Sequence, residues 1–247
     1  MEKNKEETTM LNEKAYALGA NRSVIRDLFE YGLSRAAVVG PENIYDYSLG
    51  NPSIPSPPEV NETIRQILLD TDSLKIHGYT SAVGDFDTRK AISDDLNARY
   101  NADTKPEEFF IGCGAAPELV SVFRALAVPG SEILAIAPFF PEYRPFCEQT
   151  GHKFVACPAD YEHFQINFAE LEKCITPNTQ AIIVNSPNNP SGVVYTAETL
   201  SALAALLTRK SEEYGHPIYI ISDEPYRELA YGVEVPFLPL IYPNTII

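Results

Sequence analysis

The sequence predicts an α/β fold in three layers, with a mostly parallel sheet covered by helices on both faces. Three observations lead there. From residue 108 onward, short apolar runs alternate with longer amphipathic stretches. The runs are continuously apolar, the pattern of strands buried on both faces. The stretches between them are long enough for the crossover helices that parallel neighbours need.

Taken in order, residues 1 to about 20 are polar and charged at their start and read as a loose arm. Ser23 is placed to cap a helix running to about Val39, with Val24, Ile25, Leu28, Phe29 and Leu33 on one face. Pro41 follows where that helix should stop. The proline-rich residues 48–58 predict a stiff, extended connection. A helix is expected from near Glu59, with Val60, Ile64, Ile67 and Leu68 on its buried face, and another from about Thr88 to Tyr100. Strands are predicted at 109–111, 132–137, 153–156, 181–184 and 218–221, with helices over 117–127 and 197–213. Residues 243–247 open a further apolar strand with no polar tail after it. The expectation is therefore a truncated product whose sheet is incomplete at the C-terminus.

The chain has 247 residues, 45% of them hydrophobic, so a sizeable core can form. A formal net charge of -15 argues against nucleic acid and anionic membrane surfaces as partners. Neither a signal peptide nor an apolar run of bilayer length is present, and a cytoplasmic protein is the simplest expectation. Cys113, Cys147, Cys157 and Cys174 form no C-x-x-C pair and read as buried or semi-buried free thiols. The histidines are scattered, with no i, i+4 pair to hold a metal.

Ligands of an open parallel sheet bind beyond the carboxyl ends of its strands, so the residues just after each predicted strand carry the functional signal. Gly112-Cys113-Gly114-Ala115-Ala116-Pro117 stands between a strand and a helix. It is either a plain turn or an anion site made of free helix N–H groups. Pro138-Phe139-Phe140-Pro141-Glu142-Tyr143 offers aromatics that are either core residues or a surface for a flat ring. Asn185-Ser186-Pro187-Asn188-Asn189-Pro190-Ser191-Gly192 is either an Asx-rich turn or a set of hydrogen-bonding groups for a ligand. Ser222-Asp223-Glu224-Pro225-Tyr226 ends a buried run with a carboxylate that needs a partner. A helix N-cap and a protonated ring nitrogen are the two candidates.

In this order and spacing the four motifs resemble those of the class I/II aminotransferases, enzymes of the aspartate aminotransferase-like fold that use pyridoxal phosphate (PLP). The resemblance runs from about Tyr47 to the last residue. It implies that residues 1–47 are an arm and part of a small domain, and that 48–247 are an incomplete PLP-binding large domain. It further implies that the backbone of Gly114, Ala115 and Ala116 holds the cofactor phosphate and that Phe140 stacks on the pyridine ring. Asn189 and Tyr226 would reach the ring hydroxyl, and Asp223 would pair with the ring nitrogen. Tyr79 would reach the phosphate of a neighbouring subunit, which implies a homodimer. Gly50 matches the glycine of the segment over which substrate enters.

The substrates so implied are an amino acid and a 2-oxo acid, exchanging an amino group. A carbon–sulfur β-lyase or another lyase of the same fold is the alternative reaction. The family's Schiff-base lysine is expected in a Ser-x-x-Lys segment after the strand that begins near Thr245, and the sequence stops at Ile247, before that segment. Lys75, in Ser73-Leu74-Lys75, lies upstream in the wrong context. The 247-residue chain by itself is therefore expected to be inert.

Overall fold

A computed structural model describes residues 11–20, 24–48, 50 and 54–247. Two compact units result, Met1–Tyr79 and Thr80–Ile247.

The first unit holds helices α1 (Glu13–Ala20), α2 (Val24–Val39), α3 (Pro58–Asp70) and α4 (Ser73–His77). The expected arm is thus helical over its last eight residues. The cap expected at Ser23, like Leu49 and residues 51–53 of the proline-rich connection, lies outside the described residues. Helix α3 starts as expected, its prolines serving at the N-terminal turn, where a missing N–H costs no bond. Its apolar face is not buried, however. Val60, Ile64, Ile67 and Leu68 stay between 45% and 56% exposed. The apolar period specifies a face, and the rest of the first unit does not bury it. Lys75 sits on α4, whose N-cap Asp72 accepts from the backbone of Leu74 and Lys75.

The second unit begins with α5 (Phe86–Tyr100), capped by Asp85, which accepts from Thr88 N. Helix α6 (Ala115–Leu126) follows, then strand β1 (Glu132–Ile136), α7 (Tyr143–Gln149), β2 (Lys153–Cys157), α8 (Phe168–Cys174) and β3 (Thr179–Asn185). Helix α9 (Ala197–Tyr214), β4 (Tyr219–Asp223) and β5 (Thr245–Ile246) complete it. The strands form one five-stranded parallel sheet in the order β2-β1-β3-β4-β5.

Side-chain alternation along the strands builds the three layers. Leu134, Ile182, Val184 and Ile220 face a cluster with Leu171 of α8 and Leu200, Leu203 and Leu207 of α9. Their sequence neighbours Ile133, Ala135, Ala181, Ile183 and Ile221 face Leu119 and Phe123 of α6 and Tyr143 and Cys147 of α7. Each fully buried side chain of this size removes about 1.5–3 kcal/mol worth of apolar surface from water.

One predicted strand is absent. Residues 109–111 are irregular, and Phe110 is 60% exposed. Ile111 N donates to Val83 O, and no strand among the described residues offers these residues a ladder. β5, two residues long, pairs with β4 and stands at one edge of the described sheet, which is incomplete at its C-terminal end as expected.

Candidate functional site

The strand order places a topological switch point at β1 and β3, whose connections leave in opposite directions. A cavity of about 230 Å³ opens at the carboxyl ends of the strands. That is several times the ~30 Å³ a water takes up in the liquid. The segments after β1, β3 and β4 and the start of α6 supply its walls.

Ala115 and Ala116 contribute the first turn of α6. Gly114 precedes them at φ 120°, where a side chain would be strained, and gives the helix no side-chain cap. Pro117 then takes the third helical position, whose N–H would have no intrahelical partner anyway, and Glu118 N begins the ladder to Gly114 O. The uncapped N–H groups and the positive end of the helix dipole suit an anion.

Phe140 and Phe139 divide their tasks. Phe139 packs edge-on against Phe154 with centroids 5.0 Å apart, whereas Phe140 lines the cavity. The asparagines also divide. Asn188 builds the turn, accepting from Ser191 N at 3.0 Å and Ser191 Oγ at 2.7 Å. Asn189 lines the cavity and donates from Nδ2 to the Tyr226 hydroxyl at 3.4 Å.

Asp223 ends β4 and lines the same cavity. It caps no helix: the 3-10 turn Arg227–Leu229 has Tyr226 as its N-cap and no side-chain cap bond. Its Oδ2 accepts from the Tyr143 hydroxyl. Burial pushes its carboxyl above the ordinary range, Tyr143 pulls it down, and the charge of Glu224 adds to the rise. Among the described residues, no lysine, arginine or histidine forms a close ion pair with it; Glu224 beside it takes Arg227 instead. A buried carboxylate without a cation is what a cationic ligand atom would satisfy.

The sign of this arrangement is testable. A carboxyl whose folded pKa is raised favours the folded state at low pH, and that contribution is lost as pH rises through the raised folded value. Asp223→Asn removes the charge and keeps an acceptor for Tyr143. Without a bound cation it should melt a few degrees above wild type at pH 7, at about 2–4 °C per kcal/mol. The gap should close as the pH is lowered toward 4, roughly the ordinary carboxylate range. Equal melting temperatures at pH 7 would show that burial of this charge costs nothing.

Sequence reasoning did not single out Tyr143 and Asn185 as site residues. Asn185 is 5% exposed; its Nδ2 donates to Asp223 O at 2.8 Å and its Oδ1 accepts from Asn189 N at 2.6 Å. It thereby ties the segment after β3 to the end of β4. Both residues lay within the motifs, and the signal that could have found them is their place at or beyond a strand's carboxyl end.

Gly114, Ala115, Ala116, Phe140, Asn189, Asp223 and Tyr226 are thus brought to one place. Tyr79 and Gly50 belong to the other unit, both exposed. The thiol expectation needs one correction. Cys113 is exposed, because it sits in the turn before α6 instead of on a packed face. Burial holds the Cys147 thiol up at about 12. Among the described residues, no group of acidic, histidine or cysteine side chains could hold a metal, and no helix is long and apolar enough to cross a membrane.

The model of the family "Aminotransferase class I and II" matches residues 42–244. An aspartate aminotransferase of Thermotoga maritima is 32% identical over 203 residues, covering 81% of this chain and 51% of that protein. An aspartate/prephenate aminotransferase of Thermus thermophilus is 31% identical, covering 75% of this chain and 46% of that protein. The chain therefore spans about half the length of the curated relatives it matches. Among solved structures, an amino transferase of Eubacterium rectale superposes with a TM-score of 0.93 at 51% identity, over 96% of this chain and 60% of that one. The chain belongs to the class I and II aminotransferases.

Proposed function

We propose that the whole protein is a pyridoxal-phosphate-dependent aminotransferase that moves an amino group between an amino acid and a 2-oxo acid. The observation that carries this reading is the convergence of a carboxylate with no cation partner among the described residues, an aromatic face, two hydroxyl-directed polar groups and an uncapped helix start around one cavity. Each matches one part of the cofactor. The N–H groups of Ala115 and Ala116 would hold its phosphate, Phe140 would cover one ring face, and Asn189 and Tyr226 would bind its ring hydroxyl. Asp223 would hold a proton on its ring nitrogen. When bound, the cofactor supplies an electron sink for charge that develops at the substrate's α-carbon.

The chain's residues prepare that chemistry. Asp223, ionised, favours a protonated ring, and its burial makes the pair stronger than it would be in water. Phe140 and Tyr143 exclude water from the ring face and from the carboxylate. Tyr79 would act from a partner subunit in a homodimer, and Gly50 would lie where substrate enters.

Equilibrium dialysis tests the reading without any turnover. The 247-residue chain should retain pyridoxal phosphate more tightly than pyridoxal, which lacks the phosphate. Gly114→Val, forced into a strained backbone worth about 1–3 kcal/mol, should erase most of that preference. Equal affinity of the wild-type chain for both compounds would refute the phosphate site.

A further inference from the structure

Tyr143 is 1% exposed and stands at the first position of α7, at the wall of the cavity. Its hydroxyl donates to Asp223 Oδ2, a residue 80 positions away. Its ring meets Phe140 edge to face, with centroids 5.6 Å apart and planes at 81°. One rigid side chain therefore touches the carboxylate beyond β4 and the aromatic beyond β1.

We propose that Tyr143 is a positioning residue of the cofactor site, fixing the Asp223 carboxylate through its hydroxyl and the Phe140 ring through its own ring. The ring-nitrogen contact and the stacking face would then be set by a single side chain. This rests on the cofactor reading given above.

The physical need is specific. The terminal torsion of an aspartate is broad and nearly two-fold, so an unheld carboxylate samples many orientations. A hydroxyl donor to an ionised oxygen is a strong, short hydrogen bond and selects one of them. An aromatic ring likewise prefers an edge-on neighbour, worth about 0.5–1.5 kcal/mol beyond its buried area.

The groups that bear on Asp223 come from three elements. Tyr143 approaches from α7, and the uncharged Asn185 approaches from β3 and holds the backbone carbonyl. Glu224 and Tyr226 belong to the segment after β4 itself. The Glu224 carboxylate is directed to Arg227 and Ser222, and Tyr226 takes the Asn189 amide. Tyr143 alone donates to the Asp223 carboxylate among the described residues. Burial first, and then the neighbouring Asp223 charge, hold the Tyr143 phenol well above the ordinary tyrosine range. That direction keeps the hydroxyl a donor to the carboxylate, the part the proposal assigns to it.

Two substitutions in the 247-residue chain separate the hydroxyl from the ring. Tyr143→Phe keeps the ring, and Tyr143→Leu removes both. The readout is the titration of Asp223 by carbon NMR with aspartate labelled at Cγ, assigned against Asp223→Asn. Tyr143→Phe should move the Asp223 midpoint upward, raising its proton affinity on the order of tenfold. A purely packing role for Tyr143 would leave that midpoint where it is, and this result overturns the proposal.

Dialysis against pyridoxal phosphate gives the second arm. The deficit of Tyr143→Phe should grow as the pH falls toward the Asp223 midpoint. Tyr143→Leu should bind more weakly than Tyr143→Phe at every pH, through the loosened Phe140, and equal binding by the two would refute the part assigned to the ring. Tyr143→Phe decides the matter for the hydroxyl even if Tyr143→Leu does not fold. If no form binds the cofactor and the midpoint still moves, the cofactor reading fails and the hold of Tyr143 on Asp223 stands.

Discussion

Asp223→Ala should lower kcat for transamination on the order of 10²–10³-fold, in a form of the protein that carries the family's lysine. The estimate follows from the site's electrostatics. Two unit charges about 4 Å apart at an effective dielectric of ~20 attract by about 4 kcal/mol, and desolvation takes part of that back. Each ~1.4 kcal/mol lost in the transition state is a factor of ten in rate. Retention of the cofactor should change much less, by under about tenfold, because the phosphate would be held separately at Ala115 and Ala116. Steady-state kinetics with an amino acid and 2-oxoglutarate, beside dialysis of the cofactor, measures both quantities. Transamination at the wild-type rate would exclude Asp223 from the ring nitrogen.

Arg227→Met should destabilise the chain by about 3–5 kcal/mol, the largest effect expected of any polar substitution in it. The Arg227 and Glu224 side chains are only 10% and 8% exposed, and Nε meets Glu224 Oε2 at 2.6 Å. The remaining donors are engaged as well, with Val235 O at 2.8 Å and Pro236 O at 2.9 Å. The guanidinium also lies near the rings of Tyr100 and Phe237, which stack on each other at 4.6 Å. Removing the cation strands a buried carboxylate next to Asp223, and that accounts for the size of the penalty. Melting followed by circular dichroism should show a fall of about 6–20 °C, at roughly 2–4 °C per kcal/mol. The double variant Glu224→Gln, Arg227→Met should recover a large part of it. A double variant no more stable than the single one would mean that Arg227 matters through its stacking and carbonyl contacts alone.

Much of the sheet was legible in the sequence because its strands are buried on both faces. Residues 132–136, 153–157, 179–185 and 219–223 form strands within a few positions of where unbroken apolar runs place them. Residues 109–111 have the same composition and form none, since a strand exists only through a partner. The same reason explains α3, whose period is helical but whose apolar face is not buried within its own unit. At the site, spacing and residue type marked the four segments. They did not separate Asn188, which holds its own turn, from Asn189, which is aimed at Tyr226. Chain direction inside a turn makes that choice. The bond from Tyr143 to Asp223 spans 80 residues, and no local pattern announces it.

The cavity walls come from separate crossovers spread between Ala115 and Tyr226, and neighbouring strands run parallel throughout. Such long loops must close before any of these groups meet, and that closure is slow. A ligand therefore encounters no binding surface on the unfolded chain and arrives late in folding. It slows escape from the native state without hastening the approach to it, as contacts absent from the folding barrier do.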